Sequence, residues 1–346
     1  MPGRTPLREI AFIVMRETPF ITVSATLLGL LGLFFFPSVL IGNDQEKSDQ
    51  QGNEALEKGD YDKAIAAYDK AIRLNPRDTL AYNNRGMAYE RKGDRGKAIS
   101  DYSEAIRIDP KYETAYNNRG SAYGAKGDYD KAIADLNEAI RLDPKDPPPY
   151  VNRGIAYRRK GDFGKAIADL NEAIRLDPKN ANAYDMRSNT YLCTEDYGKA
   201  ISDANEAIHF NPRDRGAYDN RALAHSRKGN YSKALADSKE AMRLDPKNPR
   251  AYNAIAWILA TCPQPAFRDG KKAVEYATKA CELSAWKEPH SIDTLAAACA
   301  EAGDFEHAIR WEKQFLQTAT LSEKDMTNAK TRLALYQAHG PYRADK

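Results

Sequence analysis

From about residue 45 onward, apolar and small residues recur at helical rather than strand spacing. In "YDKAIADLNEAIRL", Ala132, Ile133, Leu136, Ala139 and Ile140 fall at i, i+3/i+4 and i+7, the pattern of one buried helix face. The preceding "AYNNRGSAYGAK" carries Tyr116, Gly120, Tyr123 and Gly124 on one side and predicts a shorter-faced helix. Gly127 between them suits a left-handed helix end, and Asp128 suits the start of the next helix. The closing "DPK" stops the second helix, because proline cannot continue the hydrogen-bond ladder.

This two-helix pattern repeats. Prolines at Pro76, Pro110, Pro144, Pro178, Pro212 and Pro246 are each 34 residues apart. Tyr82 to Tyr252 and Ala64 to Ala234 keep the same step. Small residues recur at Gly86, Gly120 and Gly154 on the first helix and at Ala105, Ala139 and Ala173 on the second. A 34-residue helix–turn–helix with these small residues and a terminal proline resembles the tetratricopeptide repeat family. The resemblance implies an all-α, right-handed superhelical solenoid of stacked helix pairs. It covers six regular repeats at 45–78, 79–112, 113–146, 147–180, 181–214 and 215–248. Two divergent repeats follow, 249–288 with the insertion "CPQPAFRD" and 289–320. Residues 321–346 then read as a capping helix, "TNAKTRLALYQA", and a short tail.

The N-terminus breaks the pattern. Residues 1–19 carry Arg4, Arg8 and Arg16, and Phe20–Ile41 contains no charged side chain. Those 22 residues would extend about 33 Å as a helix, enough for a hydrocarbon core of about 30 Å. A single-pass membrane helix over 20–41 is the expectation, with Pro37 near its end. A cleaved signal peptide and a buried core helix remain alternatives. Positive charge before the span places the repeats on the extracytoplasmic side, although Lys47 and Lys58 weaken that bias.

Comparing the repeats with one another isolates candidate side chains. Arg85, Arg119, Arg153, Arg187 and Arg221 each precede an aspartate by sixteen residues, at Asp101, Asp135, Asp169, Asp203 and Asp237. Both charges are absent together elsewhere: Gln51 with Ala67, Ile255 with Tyr276, and Leu295 with Trp311. This co-occurrence predicts a structural ion pair between the two helices of one repeat. Asparagines precede the arginines at Asn83, Asn84, Asn117, Asn118, Asn152 and Asn220. The family resemblance implies that this face is concave and can bind a partner's backbone or carboxylate, and these six are the candidate groove residues. The other reading is that they only tie neighbouring helices together. Leu80, Met87, Thr114, Ser121 and Ile155 flank them, so the basic clamp that some family members use for acidic tails is missing. Lys92, Lys126, Lys160 and Lys228 lie at first-helix ends, where cations complement the helix dipole, or they form a basic rim for an acidic partner.

Composition narrows the function. A net charge of +3 on 346 residues argues against a nucleic-acid-binding protein. No phosphate loop, nucleophile elbow or zinc-helix motif occurs, and the five histidines are scattered. Cys193, Cys262, Cys281 and Cys299 form no C-x-x-C pair, so no metal site is expected. Cys262, Cys281 and Cys299 lie in consecutive predicted helices and read as apolar fillers, with one disulfide as the alternative. The leading expectation is a non-catalytic, membrane-tethered scaffold for a protein or peptide partner, without cofactor. An accessory subunit or a self-associating structural oligomer of an envelope assembly is the competing class.

Overall fold

The computed structural model describes residues 44–318 and 321–344. Among these residues all regular structure is helical. The chain divides into an N-terminal body, residues 1–110, and a C-terminal body, residues 111–346. The described part of the N-terminal body holds α1 (residues 44–57), α2 (Tyr61–Leu74), α3 (Thr79–Lys92) and α4 (Arg95–Ile108). The C-terminal body holds α5 (Glu113–Lys126), α6 (Tyr129–Leu142), α7 (Pro147–Lys160), α8 (Phe163–Leu176), α9 (Ala181–Cys193), α10 (Tyr197–Phe210), α11 (Arg215–Arg227), α12 (Tyr231–Leu244), α13 (Pro249–Thr261), α14 (Gly270–Leu283), α15 (Pro289–Glu301), α16 (Phe305–Leu316) and α17 (Glu323–Gln337). The proline-rich insertion forms a short 3-10 turn, Pro265–Phe267, between α13 and α14. The segment 20–41 lies outside the described residues, and no described helix is long and apolar enough to cross a membrane.

Each helix pair is set by local chemistry. Gly127 ends α5 at φ +90°, and its N–H bonds back to Gly124. A side chain at that φ would be strained, which is why glycine serves there. Aspartates then start the second helices: Asp162 Oδ1 accepts from the Lys165 amide at 3.2 Å, and Asp196 Oδ1 from the Lys199 amide at 3.1 Å. The aspartate or asparagine before each repeat proline is extended, as at Asp177 (φ −130°) and Asn211 (φ −135°), because proline excludes the helical conformation from the residue it follows.

Within a pair, the first helix offers a socket and the second a knob sixteen residues on. A Cβ on Gly86 would meet the Tyr102 ring at 2.6 Å, and one on Gly120 would meet Leu136 Cγ at 2.8 Å. Gly154 faces Leu170 at 3.0 Å in the same way. In repeats five and six the socket gains a side chain, Ser188 or Ala222, and the position sixteen residues on shrinks to Ala204 or Ser238. All four are buried. Volume is thus conserved while identity drifts, the tolerated kind of core change.

The C-terminal end is packed differently. Leu295, Phe315 and Tyr336 join buried alanines from α13–α17 in one apolar cluster, with Trp257, Trp311 and Tyr342 against it. Helix α17 begins at Glu323 rather than at Thr327. Ser322 Oγ accepts from the Asp325 amide at 3.1 Å and donates to its carboxylate at 2.7 Å, a capping exchange that extends the helix by its first turn. Arg332 of α17 reaches Asp293 of α15 at 2.7 Å and Glu312 of α16 at 3.1 Å, and Glu312 is fully buried. Burial and the adjacent Asp293 push the Glu312 carboxyl well above the ordinary carboxylate range. All four cysteines are free, which removes the disulfide alternative: Cys262, Cys281 and Cys299 are buried thiols. Burial pushes Cys281 up to about 12.

Candidate partner-binding face

In the C-terminal body the first helices lie side by side. Contacts link α5 to α7, α7 to α9, α9 to α11, α11 to α13 and α13 to α15. Side chains 34 residues apart therefore form lines across the row. One line reads Ser121, Ile155, Asn189, Leu223 and Trp257, all at least partly accessible, with Leu223 46% exposed.

The predicted asparagines are placed beside this line but mostly engaged with one another. Asn152 Nδ2 donates to Asn117 Oδ1 at 2.9 Å, from α7 back to α5. Asn220 Nδ2 donates to Asp185 Oδ1 at 2.7 Å, and its Oδ1 accepts from Asn189 at 2.9 Å. In the N-terminal body Asn84 Nδ2 donates to Asn53 Oδ1 at 3.3 Å, which also accepts from the Tyr68 hydroxyl at 2.7 Å. Asn83 is 2% exposed and donates to Asn84 Oδ1 at 3.2 Å. Asn83 and Asn220 are thus buried, 2% and 8% exposed, with their amides turned to neighbouring side chains. Asn118 is half-buried and also engaged. The row is interrupted in repeat five, where Met186 takes the asparagine position.

The structure brings the arginines and aspartates together. Arg153 donates to Asp169 through Nε at 2.8 Å and Nη2 at 2.7 Å, a fork-to-fork pair. Arg187 and Asp203 (2.7 and 2.7 Å), Arg221 and Asp237 (2.9 and 2.7 Å), Arg119 and Asp135 (2.8 and 2.8 Å) and Arg85 and Asp101 (2.8 and 2.7 Å) repeat it. A third partner was not foreseen. Arg153 Nη1 also reaches Asn137 at 2.6 Å, Arg187 Nη1 reaches Asn171 at 2.6 Å, and Arg221 Nη1 reaches Asn205 at 2.7 Å. Each lies sixteen residues before its arginine, on the second helix of the preceding repeat. The guanidinium therefore fastens a first helix to two second helices, and the ring of Tyr150, Tyr184 or Tyr218 lies 5.4–5.7 Å beneath it. Hydrogen bonding to the aspartate, against the opposing effect of burial, holds Arg119, Arg153 and Arg187 above the ordinary guanidinium range.

Acidic groups missed in the sequence lie at the junction of α9 and α11. Asp185 is buried, and burial, reinforced by Asp214, pushes it up to about 7. Asp219 is raised by burial and held by Arg215 at 2.6 Å. The signal available in sequence was substitution within the register: Asp185 and Asp219 stand where Asn83 and Asn117 stand earlier. Of the helix-end lysines, Lys92 pairs with Asp62 and Lys160 with Asp130. No group of three potential metal ligands gathers among the described residues.

Family models described as tetratricopeptide repeat match residues 50–113, 102–134, 119–190 and 216–248. Solved structures share the fold at low identity. A tetratricopeptide repeat protein from Parabacteroides merdae is 21% identical, with a TM-score of 0.58, covering 74% of this chain and 99% of that one. The Cut9–Hcn1 structure of the APC/C is 17% identical with a TM-score of 0.64, covering 71% and 48%. Pseudomonas aeruginosa pilF is 16% identical with a TM-score of 0.53, covering 61% and 96%.

Proposed function

Because the chain belongs to the tetratricopeptide repeat family, we propose that it is a non-catalytic scaffold that binds a protein partner on the row of first helices. The observation that supports this reading is the accessible line Ser121, Ile155, Asn189, Leu223 and Trp257. An extended peptide or an amphipathic helix would lay apolar side chains along it. Asn117 and Asn152 border the line and Asn189 lies in it, and a bound backbone would compete for amides that now bond to neighbours. The tether in this proposal is the apolar segment 20–41, which would hold the repeats at the extracytoplasmic face of a membrane.

The test pairs Ile155→Glu with Leu223→Glu in the full-length protein. Both sites are accessible, so the helical circular-dichroism signal should persist. Partner recovery after in-cell crosslinking should fall at least about tenfold, as for loss of central apolar contacts. Undiminished recovery of every partner would overturn the binding face. Protease added to intact cells should cut the repeats if they lie outside the cytosol, and full protection would overturn the orientation.

A further inference from the structure

Repeat six departs from its neighbours at two positions that act on one lysine. In the other regular repeats of the C-terminal body, the aspartate that starts the second helix pairs with a lysine three residues on. These pairs are Asp128 with Lys131 (3.7 Å), Asp162 with Lys165 (2.8 Å) and Asp196 with Lys199 (2.8 Å). The same lysine rests over a first-helix tyrosine: Tyr123 at 5.4 Å, Tyr157 at 5.3 Å and Tyr191 at 5.3 Å. Repeat six has His225 in place of that tyrosine and Asn230 in place of that aspartate. Asn230 is uncharged and makes no side-chain cap bond, so the start of α12 lacks its carboxylate. Lys233 has no ion-pair partner among the described residues.

His225 is 8% exposed, and its Nδ1 is buried without a hydrogen-bond partner. The imidazole and Lys233 line a cavity of about 300 Å³ with Asn205, Arg221 and Asp237. The Asp237 carboxylate is already matched by the two-point contact of Arg221, which leaves Lys233 as the unopposed charge. Burial lowers His225, and Lys233, Arg221 and Lys228 add to that against Asp237. A negative guest would relieve all of these repulsions at once.

We propose that this cavity is a binding site for a small oxyanion, the phosphate or carboxylate group of a ligand. Lys233 Nζ would supply the charge, and the His225 imidazole, through the ring edge that lines the cavity rather than its sealed Nδ1, a directed donor. The inference goes beyond the scaffold reading and does not depend on the first-helix line.

The test is a titration of full-length protein, histidine-labelled with ¹³C, against inorganic phosphate and in parallel against acetate, at constant ionic strength. The His225 resonance should shift saturably, with a dissociation constant of about 1 mM for the better anion. Saturation by phosphate alone would assign a phosphoryl ligand, and saturation by acetate alone a carboxylate. Asn230→Asp, which restores the pairing of the other repeats, and Lys233→Gln should each weaken binding at least about tenfold while the fold persists. The converse graft, Tyr191→His with Asp196→Asn, should create in repeat five a second histidine resonance that shifts saturably with the anion. A linear, unsaturated shift with both anions, or equal affinity in Asn230→Asp and Lys233→Gln, would overturn the site.

Discussion

Repeats three to six and the end of the chain from α13 to α17 share the helix-pair plan but are fastened by different means. The regular repeats use an arginine staple at a fixed step, half-buried, and the guanidiniums of Arg153, Arg187 and Arg221 each serve three helices. At the end of the chain those positions turn apolar: Ile255 and Leu295 are buried, and Trp311 stacks on Trp286 at 5.2 Å. One deeply buried cation, Arg332, replaces the series and joins α15, α16 and α17. A staple repeated in every unit fixes spacing between neighbours without needing a large core. The end of the chain relies instead on a large apolar cluster and on polar contacts that occur once each, Arg332 with Asp293 and Glu312, and Glu301 with Arg268 at 3.0 Å and Arg343 at 2.6 Å.

The largest expected effect is at that lock. Arg332→Met leaves Asp293 and Glu312 buried without a cation and should cost about 3–5 kcal/mol. Hydrogen exchange should show α15–α17 opening ahead of α5–α12, and unchanged protection there would remove the contrast between the regions. Replacing Arg332, Asp293 and Glu312 together with apolar residues should recover most of the loss. Next comes Arg153→Ala, which orphans Asp169 and Asn137 and should cost about 2 kcal/mol in urea unfolding. Exchanging Arg153 with Asp169 should recover only part of this, because the transferred guanidinium loses Asn137 and Tyr150. Full recovery would reduce the staple to a simple pair. Smallest is Glu172→Gln, which breaks the exposed pair with Arg175 at 2.6 Å and should leave the urea-unfolding midpoint unchanged. A lowered midpoint would mean that surface pairs, not the staple, hold the regular repeats.

What was legible in the sequence is what the chain states more than once. The helix pairs, their glycine and proline boundaries and the sixteen-residue pairing of Arg153 with Asp169 all recur at a 34-residue step. The third contact, Arg153 to Asn137, recurs as well, but it crosses between repeats, and comparison within a repeat does not look backward. The asparagines were legible as a row but not in role. Whether Asn152 faces a ligand or Asn117 depends on how closely two first helices approach, which residue type does not encode. Arg332, Asp293 and Glu312 occur once each, so no second copy exposes them, and their separation in sequence gives no periodic cue.

The socket-and-knob pairs bear on how such a chain lengthens or shortens in evolution. Gly154 and Leu170 lie within one repeat, as do Ser188 and Ala204, so each fitted pair is inherited as a block. Excising residues 147–180 would remove one complete pair and leave every other pair intact. It would also bring Asn137 to the place of Asn171 against Arg187, an identical residue at the new seam. A cut displaced by half a repeat, removing residues 164–197, would instead join the Gly154 socket to the small Ala204 and open a void at the junction. The compensated sizes therefore act as a reading frame for recombination: whole repeats can be copied or lost without repacking, and half-repeat cuts that cross from a glycine socket to a small knob cannot.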